Sequence, residues 1–177
     1  MSRIGSLYRI LVQRPWRQPQ GQNSTPVKLN NRPHRFAISI SDPRVHNITN
    51  GHAHAIDYPL YIGTQIVAVD EGEIIEFVDH FPDKDPRELS DDGNLNYLKI
   101  RDTKTGKIQF YAHLKQGSVT ELYLKVGDQI KARQPIAKSG HNGQSTMPHL
   151  HFGMYEENDS APNGFGMTTV PCIFQHW

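Results

Sequence analysis

Cysteine is almost absent from this chain, since Cys172 is the single one among 177 residues. One thiol cannot form an internal disulfide, and it cannot complete a zinc finger or an iron–sulfur site. A bound metal would therefore need imidazole and carboxylate ligands, for which ten histidines are available. Long apolar runs are absent too, because no stretch approaches the roughly 18 apolar residues of a membrane span. We expect no transmembrane segment.

Acidic residues are absent from the first 41 residues, which hold seven arginines and lysines. No recognition helix or aromatic platform accompanies this basic segment, so no nucleic-acid partner is expected. Residues 1–35 are rich in Pro, Gln and Asn and predict an irregular basic arm, with a short amphipathic helix over residues 4–11. The N-terminus also lacks the apolar stretch of a secretory signal, which leaves the export route open.

From Phe36 onward, apolar residues alternate with polar ones in short runs separated by Gly-, Asn- and Asp-containing turns. Runs spaced about 8–12 residues apart predict an all-β domain over residues 36–177, with a mainly antiparallel β-sheet. The predicted strands are Phe36–Ile40, Thr64–Val69, Glu73–Val78, Tyr97–Ile100, Ile108–Leu114, Ser118–Tyr123, Gln129–Ala132, Pro135–Ser139 and His149–Tyr155.

The segment His149-Leu150-His151-Phe152 is the sharpest chemical motif. In an extended strand, residues i and i+2 point to the same face, so both imidazoles project together while Leu150 and Phe152 point into a core. Two imidazoles on one strand can share a metal, or one can ligate while the other handles a proton. Taken alone, the pair could equally be two exposed histidines.

Two further residues carry suitable chemistry. Asp57 follows a histidine-rich stretch and offers a carboxylate, although such a residue is often a turn or cap residue. In the run Phe110–Leu114, alternation puts Phe110, Ala112 and Leu114 inside and leaves Tyr111 and His113 together on the opposite face. Zinc bound by two histidines and one aspartate would keep a position open for water, with other histidines acting on protons.

Two common hydrolase signatures are missing. The helical zinc-protease motif His-Glu-x-x-His does not occur, and neither does the Gly-x-Ser-x-Gly turn of many serine hydrolases. A hydrolytic zinc site in this chain would therefore lie on strands and loops.

Several motifs together resemble those of the lysostaphin/LytM-type zinc endopeptidases, in the same order and with similar spacing. They are Ala55–Tyr58, Gly63–Ala68, Glu71–Ile74, Tyr111–Leu114, Val126–Ile130, Ser139–Gly143 and Pro148–Phe152. The resemblance implies an antiparallel β-fold with a narrow substrate groove and a Zn²⁺ cofactor. It implies that Asp57 and His151 are metal ligands and that His113 and His149 are the catalytic pair.

The first histidine ligand departs from the family pattern. The family generally places it four residues before the aspartate, where this chain has Ala53. The candidates are His46, His52 and His54, and we favour His46 because one subgroup takes this ligand from further upstream, before a short loop.

The resemblance implies a zinc metalloendopeptidase that hydrolyses stem-peptide cross-links of bacterial peptidoglycan with a metal-activated water. Its partners would be peptidoglycan peptides, its site of action the periplasm or the extracellular cell wall, and its state a monomer. The alternative is a catalytically inactive member that acts as a peptidoglycan-binding or regulatory module. A biotinyl or lipoyl carrier domain is disfavoured because no Met-Lys-Met-like triplet occurs.

Overall fold

The computed structural model describes residues 7–8, 51–90, 93–161, 164–171 and 173–174. The predicted strand Phe36–Ile40, the predicted ligand His46 and all of the basic arm except residues 7–8 lie outside these residues. Within the described ranges, no helix has the length and the apolar character needed to cross a membrane.

Nearly all of the regular structure is β. The strands are β1 (Leu7–Tyr8), β2 (Ile56–Pro59), β3 (Gln65–Val67), β4 (Gly72–Val78), β5 (Tyr97–Asp102), β6 (Ile108–Ala112), β7 (Gln129–Ile130), β8 (Pro135–Lys138), β9 (His149–Glu157), β10 (Met167–Val170) and β11 (Ile173–Phe174). A short 3-10 helix spans Thr120–Leu122. Most predicted strands are found within a few residues of their expected bounds, and the prediction of an all-β, mainly antiparallel fold is confirmed.

One seven-stranded antiparallel sheet dominates the fold, with β9, β6, β5, β4 and β7 in that spatial order. The long strand β9 pairs with β6 along one edge; along its other edge it pairs with β2 in its first half and with β10 in its second. Strands β3 and β8 form a small antiparallel sheet, and β1 and β11 form a parallel pair. Strand β9 therefore lies between β2 and β6, where it can bring residues of both together.

Successive side chains of β9 point to opposite faces of the sheet. Leu150, Phe152 and Met154 are fully buried in the larger apolar cluster, as the sequence predicts for the first two. Tyr155 belongs to a smaller cluster that includes Phe110 on β6. Burying a side chain as large as Phe152 stabilises a fold by about 1.5–3 kcal/mol, so the register of β9 is strongly fixed by this alternation.

The prediction of a strand over Ser118–Tyr123 is wrong. Its centre is the 3-10 helix, and the Oδ2 atom of Asp79 accepts hydrogen bonds from the backbone N–H groups of Val119 and Thr120 at 3.1 and 3.0 Å. A carboxylate that caps two orphan N–H groups favours a helical turn over an extended strand. This carboxylate comes from a residue about forty positions earlier, which local alternation cannot reveal.

Two other expectations are also corrected. Leu7 and Tyr8 lie in β1 and pair with β11, so this part of the predicted helix over residues 4–11 is extended instead. Tyr111 does not lie beside His113 on an open face. It is fully buried, and its hydroxyl donates to Gln109 at 2.7 Å and accepts from the N–H of Val69 at 2.9 Å.

Candidate active site

The pairing of β2 with β9 places Asp57 directly opposite His151. Side chains of directly paired residues project from the same face of a sheet, with Cβ atoms about 5 Å apart. The Oδ1 atom of Asp57 lies 3.0 Å from Nδ1 of His151, and both side chains are largely buried. An anionic oxygen and an imidazole nitrogen thus approach each other at the face opposite the main apolar cluster.

His149 lies two residues before His151 on the same face. Its Nε2 atom is 3.6 Å from Oδ1 of Asp57, and its Nδ1–H donates to the carbonyl oxygen of Met147 at 2.7 Å. A carbonyl can only accept, so in the neutral ring Nδ1 carries the proton and Nε2 carries the lone pair. Burial lowers the pKa of His149, and the charge of Asp57 partly opposes this.

His113 approaches the same place from β6. It follows the last residue of that strand and has a positive φ of 58°, which breaks the strand alternation. Its Nδ1–H donates to the carbonyl oxygen of Asn142 at 2.6 Å, and its ring centroid is 4.3 Å from that of His149. Burial holds the pKa of His113 well below its ordinary value, with His149 and His151 adding to the effect.

The loop between β8 and β9 supplies both carbonyls that orient these two histidines. Within it, the Oγ atom of Ser145 lies 3.1 Å from Nδ1 of His141 and 3.2 Å from Nδ1 of His149. His141 is fully buried, and its Nε2 lies 2.8 Å from the carbonyl oxygen of Glu88. Sequence reasoning assigned no role to His141 and Ser145, although both lie within nine residues of His149 and His141 belongs to the Ser139–Gly143 motif.

A tyrosine lies behind His151. The Tyr155 hydroxyl is 2.9 Å from Nε2 of His151 and 2.8 Å from Nδ1 of His52. The His52 ring meets that of His151 edge to face, with centroids 5.2 Å apart. Sequence reasoning also missed Tyr155, for which the only local signal is that it lies four residues after His151 and so on the same face of an extended strand.

Four of the five predicted site residues therefore come together: Asp57, His113, His149 and His151. The fifth, His46, lies outside the described residues, so the prediction for it stays open. Of the two alternatives, His52 is in the cluster, whereas His54 is exposed and its backbone N–H donates to Oγ1 of Thr169 at 3.0 Å.

The donor set fits part of a zinc site. Asp57 and His151 offer one carboxylate oxygen and one imidazole nitrogen, both of which zinc accepts, and Tyr155 backs the second nitrogen of His151. Across the described part of the chain, no three His, Cys, Asp or Glu side chains are grouped as a complete metal site. A third ligand from His46 or His52 would complete the two-histidine, one-aspartate set.

Sequence comparison finds endopeptidases among the relatives of this chain. The chain is similar to lysostaphin from Staphylococcus simulans, with 34% identity over 105 residues that cover 59% of this chain and 18% of the relative. It is similar to the glycyl-glycine endopeptidase ALE-1 from Staphylococcus capitis, at 32% identity over 105 residues, 59% of this chain and 25% of the relative. It is also 31% identical to the peptidoglycan DD-endopeptidase ShyC from Vibrio cholerae, over 67% of this chain and 24% of the relative.

Among solved structures, the peptidase lysostaphin from Staphylococcus simulans matches with a TM-score of 0.46 and 30% identity, over 61% of this chain and 40% of that one. The chain spans only 18% to 25% of the length of the three curated relatives named above. The profile of Peptidase family M23 matches residues 51–163, which include all four clustered site residues. The predicted family resemblance is thus confirmed, and the chain belongs to Peptidase family M23.

Proposed function

We propose that this chain is a zinc-dependent endopeptidase that hydrolyses peptide bonds in bacterial peptidoglycan. The observation that carries the proposal is the convergence of Asp57, His113, His149 and His151 at one place on the sheet, from three different strands or strand ends. The substrate class is supported by the names of the relatives, which include a glycyl-glycine endopeptidase and a peptidoglycan endopeptidase.

Asp57 through Oδ1 and His151 through Nδ1 would hold the metal, because these two atoms already face each other. We propose His46 as the third ligand, with His52 as the competing candidate. Zinc, when bound, acts as a Lewis acid that polarises a peptide carbonyl and lowers the pKa of water. We also propose that the catalytic domain spans residues 36–177 and that it contains a narrow substrate groove.

His113 and His149 would handle the protons of the reaction. Their Nδ1–H groups are held by the carbonyl oxygens of Asn142 and Met147, so the Nε2 atoms carry lone pairs. The lowered pKa values keep both rings neutral near pH 7. One Nε2 can take the proton of the attacking water and pass it to the leaving amine nitrogen, and the second Nε2 can accept a hydrogen bond from the same water.

We further propose that the bond cleaved is a stem-peptide cross-link and that the protein acts as a monomer in the periplasm or the extracellular cell wall. A glycine bridge is the alternative bond, since two of the relatives are lysostaphin and a glycyl-glycine endopeptidase. Digestion of sacculi that contain direct cross-links and of sacculi that contain glycine bridges distinguishes the two bonds, because the mass of the new peptide ends identifies the bond that was cleaved.

The test is digestion of purified sacculi with the protein, followed by mass analysis of the released muropeptides. Zinc-loaded protein should release new peptide ends, and a chelator should stop the release. His113→Ala and His149→Ala should each lower the turnover rate by a factor of at least about 10². Both variants should still bind zinc. Asp57→Ala and His151→Ala should lose zinc as well.

A full zinc content in Asp57→Ala or His151→Ala would refute the ligand assignment. If the wild-type protein binds zinc but cleaves neither wall type, the peptidase proposal fails, and a catalytically inactive wall-binding module takes its place. A pull-down with the same sacculi measures that binding directly.

A further inference from the structure

The buried Tyr155 hydroxyl is shared between two histidines. It lies 2.9 Å from Nε2 of His151 and 2.8 Å from Nδ1 of His52. The tyrosine is fully buried, and its ring packs edge to face on Phe110 with centroids 5.4 Å apart. Its position is therefore fixed by packing, and the hydroxyl is aimed at the side of His151 that faces away from Asp57.

Gly153 makes this position possible. A Cβ atom at that residue would lie 2.6 Å from Cε2 of Tyr155, closer than carbon atoms can approach. The tyrosine ring thus folds back along its own strand over a residue without a side chain, and only this fold-back brings the hydroxyl to His151, four residues earlier.

With Asp57 ionised and the His151 ring neutral, these contacts define one set of donors in the metal-free protein. The ionised carboxylate of Asp57 can only accept, so Nδ1–H of His151 donates to it and the Nε2 atom of that ring accepts from the Tyr155 hydroxyl. The tyrosine oxygen then accepts from Nδ1–H of His52.

A metal held by Nδ1 of His151 would reverse this chain of hydrogen bonds. Nδ1 must lose its proton in order to ligate, so the neutral ring carries its proton on Nε2 and donates it to the tyrosine oxygen. The tyrosine hydroxyl then donates to Nδ1 of His52. One proton leaves Nδ1 of His151 for solvent, and one enters Nε2 of the partly exposed His52, so no net proton is gained or lost.

We propose that Tyr155 is a positioning residue whose two-way hydroxyl couples His52 to His151 and accepts the Nε2 proton of His151 in the tautomer that binds the metal. The inference rests on the proposed function, because it assumes the metal that Asp57 and His151 would hold. It also assigns His52 to the hydrogen-bond chain behind the metal and not to the metal itself.

The test measures the affinity of the full chain for Zn²⁺ at pH 8, by competition with a chromophoric chelator. Tyr155→Phe keeps the ring and removes the hydroxyl, and it should weaken zinc binding by about 10–100-fold. The matched control is Tyr97→Phe, which removes a hydroxyl bonded to Glu76 in the same sheet and should leave zinc affinity within about twofold of the wild type.

His52→Asn is the rescuing variant. An amide group near the position of Nδ1 can donate or accept, so zinc affinity should stay close to that of the wild type. An affinity loss as large as that of Asp57→Ala would overturn the assignment, because His52 would then be a ligand. Wild-type affinity in Tyr155→Phe would also overturn it.

Nitrogen-15 NMR of the wild-type protein gives a readout that does not depend on any variant folding. The proton of His52 should move from Nδ1 to Nε2 when zinc is added, and an unchanged tautomer would overturn the proposal. If the wild type binds zinc and the tautomer switches without any cleavage of sacculi, only the proposed function fails. If it binds no zinc, both fail.

Discussion

The residues of the site differ from ordinary surface histidines in how their protons are placed. His113 and His149 are both buried, and each uses Nδ1–H to donate to a backbone carbonyl of one loop. Burial disfavours the charged ring, which lowers the pKa of each histidine. At this scale the fold keeps two bases neutral, whereas the same residues in an unfolded chain would titrate near pH 6.5.

This burial predicts that the metal-free protein loses stability in acid. Between the lowered pKa of the folded state and about pH 6.5, the unfolded chain binds more protons than the folded one, so stability is complete above that pH and falls below it. Each histidine contributes up to about 1.4 kcal/mol per pH unit. Denaturant unfolding between about pH 5 and pH 8 in chelator measures this slope.

The matched variant for this prediction is His113→Asn, whose amide can still donate to the carbonyl of Asn142 but does not titrate. It should show a smaller loss of stability in acid than the wild type. Identical slopes in the two proteins would contradict the assigned origin of the effect.

At the scale of elements, two contacting loops fix the orientation of His113 and His149. The loop after β4 contacts the loop before β9 through Asp83, whose Oδ1 accepts from the N–H of His141 at 2.7 Å and from Nδ2 of Asn142 at 3.1 Å. Ser90 and Ser145 exchange backbone hydrogen bonds at 2.9 and 2.6 Å. The second loop provides the carbonyls that orient His113 and His149, so the first loop supports the site through the second.

Asp83→Ala should therefore weaken both stability and turnover. It removes the acceptor of two largely buried donors, a loss that costs about 1–3 kcal/mol in the free energy of unfolding. The control is Asp85→Ala in the same loop, whose exposed ion pair with Arg87 is worth little, so its change should stay within about 0.5 kcal/mol. Unfolding curves and muropeptide release measure the two effects, and equal losses in both variants would contradict this support role.

At the scale of the whole molecule, the candidate metal ligands connect distant parts of the chain. Asp57 lies on the short strand β2, which pairs within the sheet only with β9 among the described strands. A metal shared by Asp57 and His151 would cross-link residues 94 positions apart in the sequence. Binding to the folded state alone stabilises it by mass action.

Zinc should accordingly raise the thermal midpoint of the wild-type protein. A free zinc concentration of about one hundred times Kd adds about 2.7 kcal/mol, which corresponds to a shift of several degrees at about 2–4 °C per kcal/mol. Asp57→Ala should show no such shift. Scanning calorimetry with zinc or chelator measures both proteins, and an equal shift in the variant would place the metal elsewhere.

Local patterns were sufficient for most of the fold. Alternation predicted β4, β5, β6, β8 and most of β9, because the period of two lies within a few consecutive residues. It failed at Ser118–Tyr123, where a distant carboxylate caps a helical turn, and it missed β2 and β10, whose sequences lack a long alternating run.

The sequence by itself determined the candidate site residues: Asp57, His113, His149 and His151 stand in motifs that can be read without a structure. Only the tertiary structure decided how they meet. The pairing that sets Asp57 opposite His151, the turn at His113 and the reach of Tyr155 over Gly153 depend on strand register and side-chain packing. Register joins residues far apart in the chain, so no local pattern contains it.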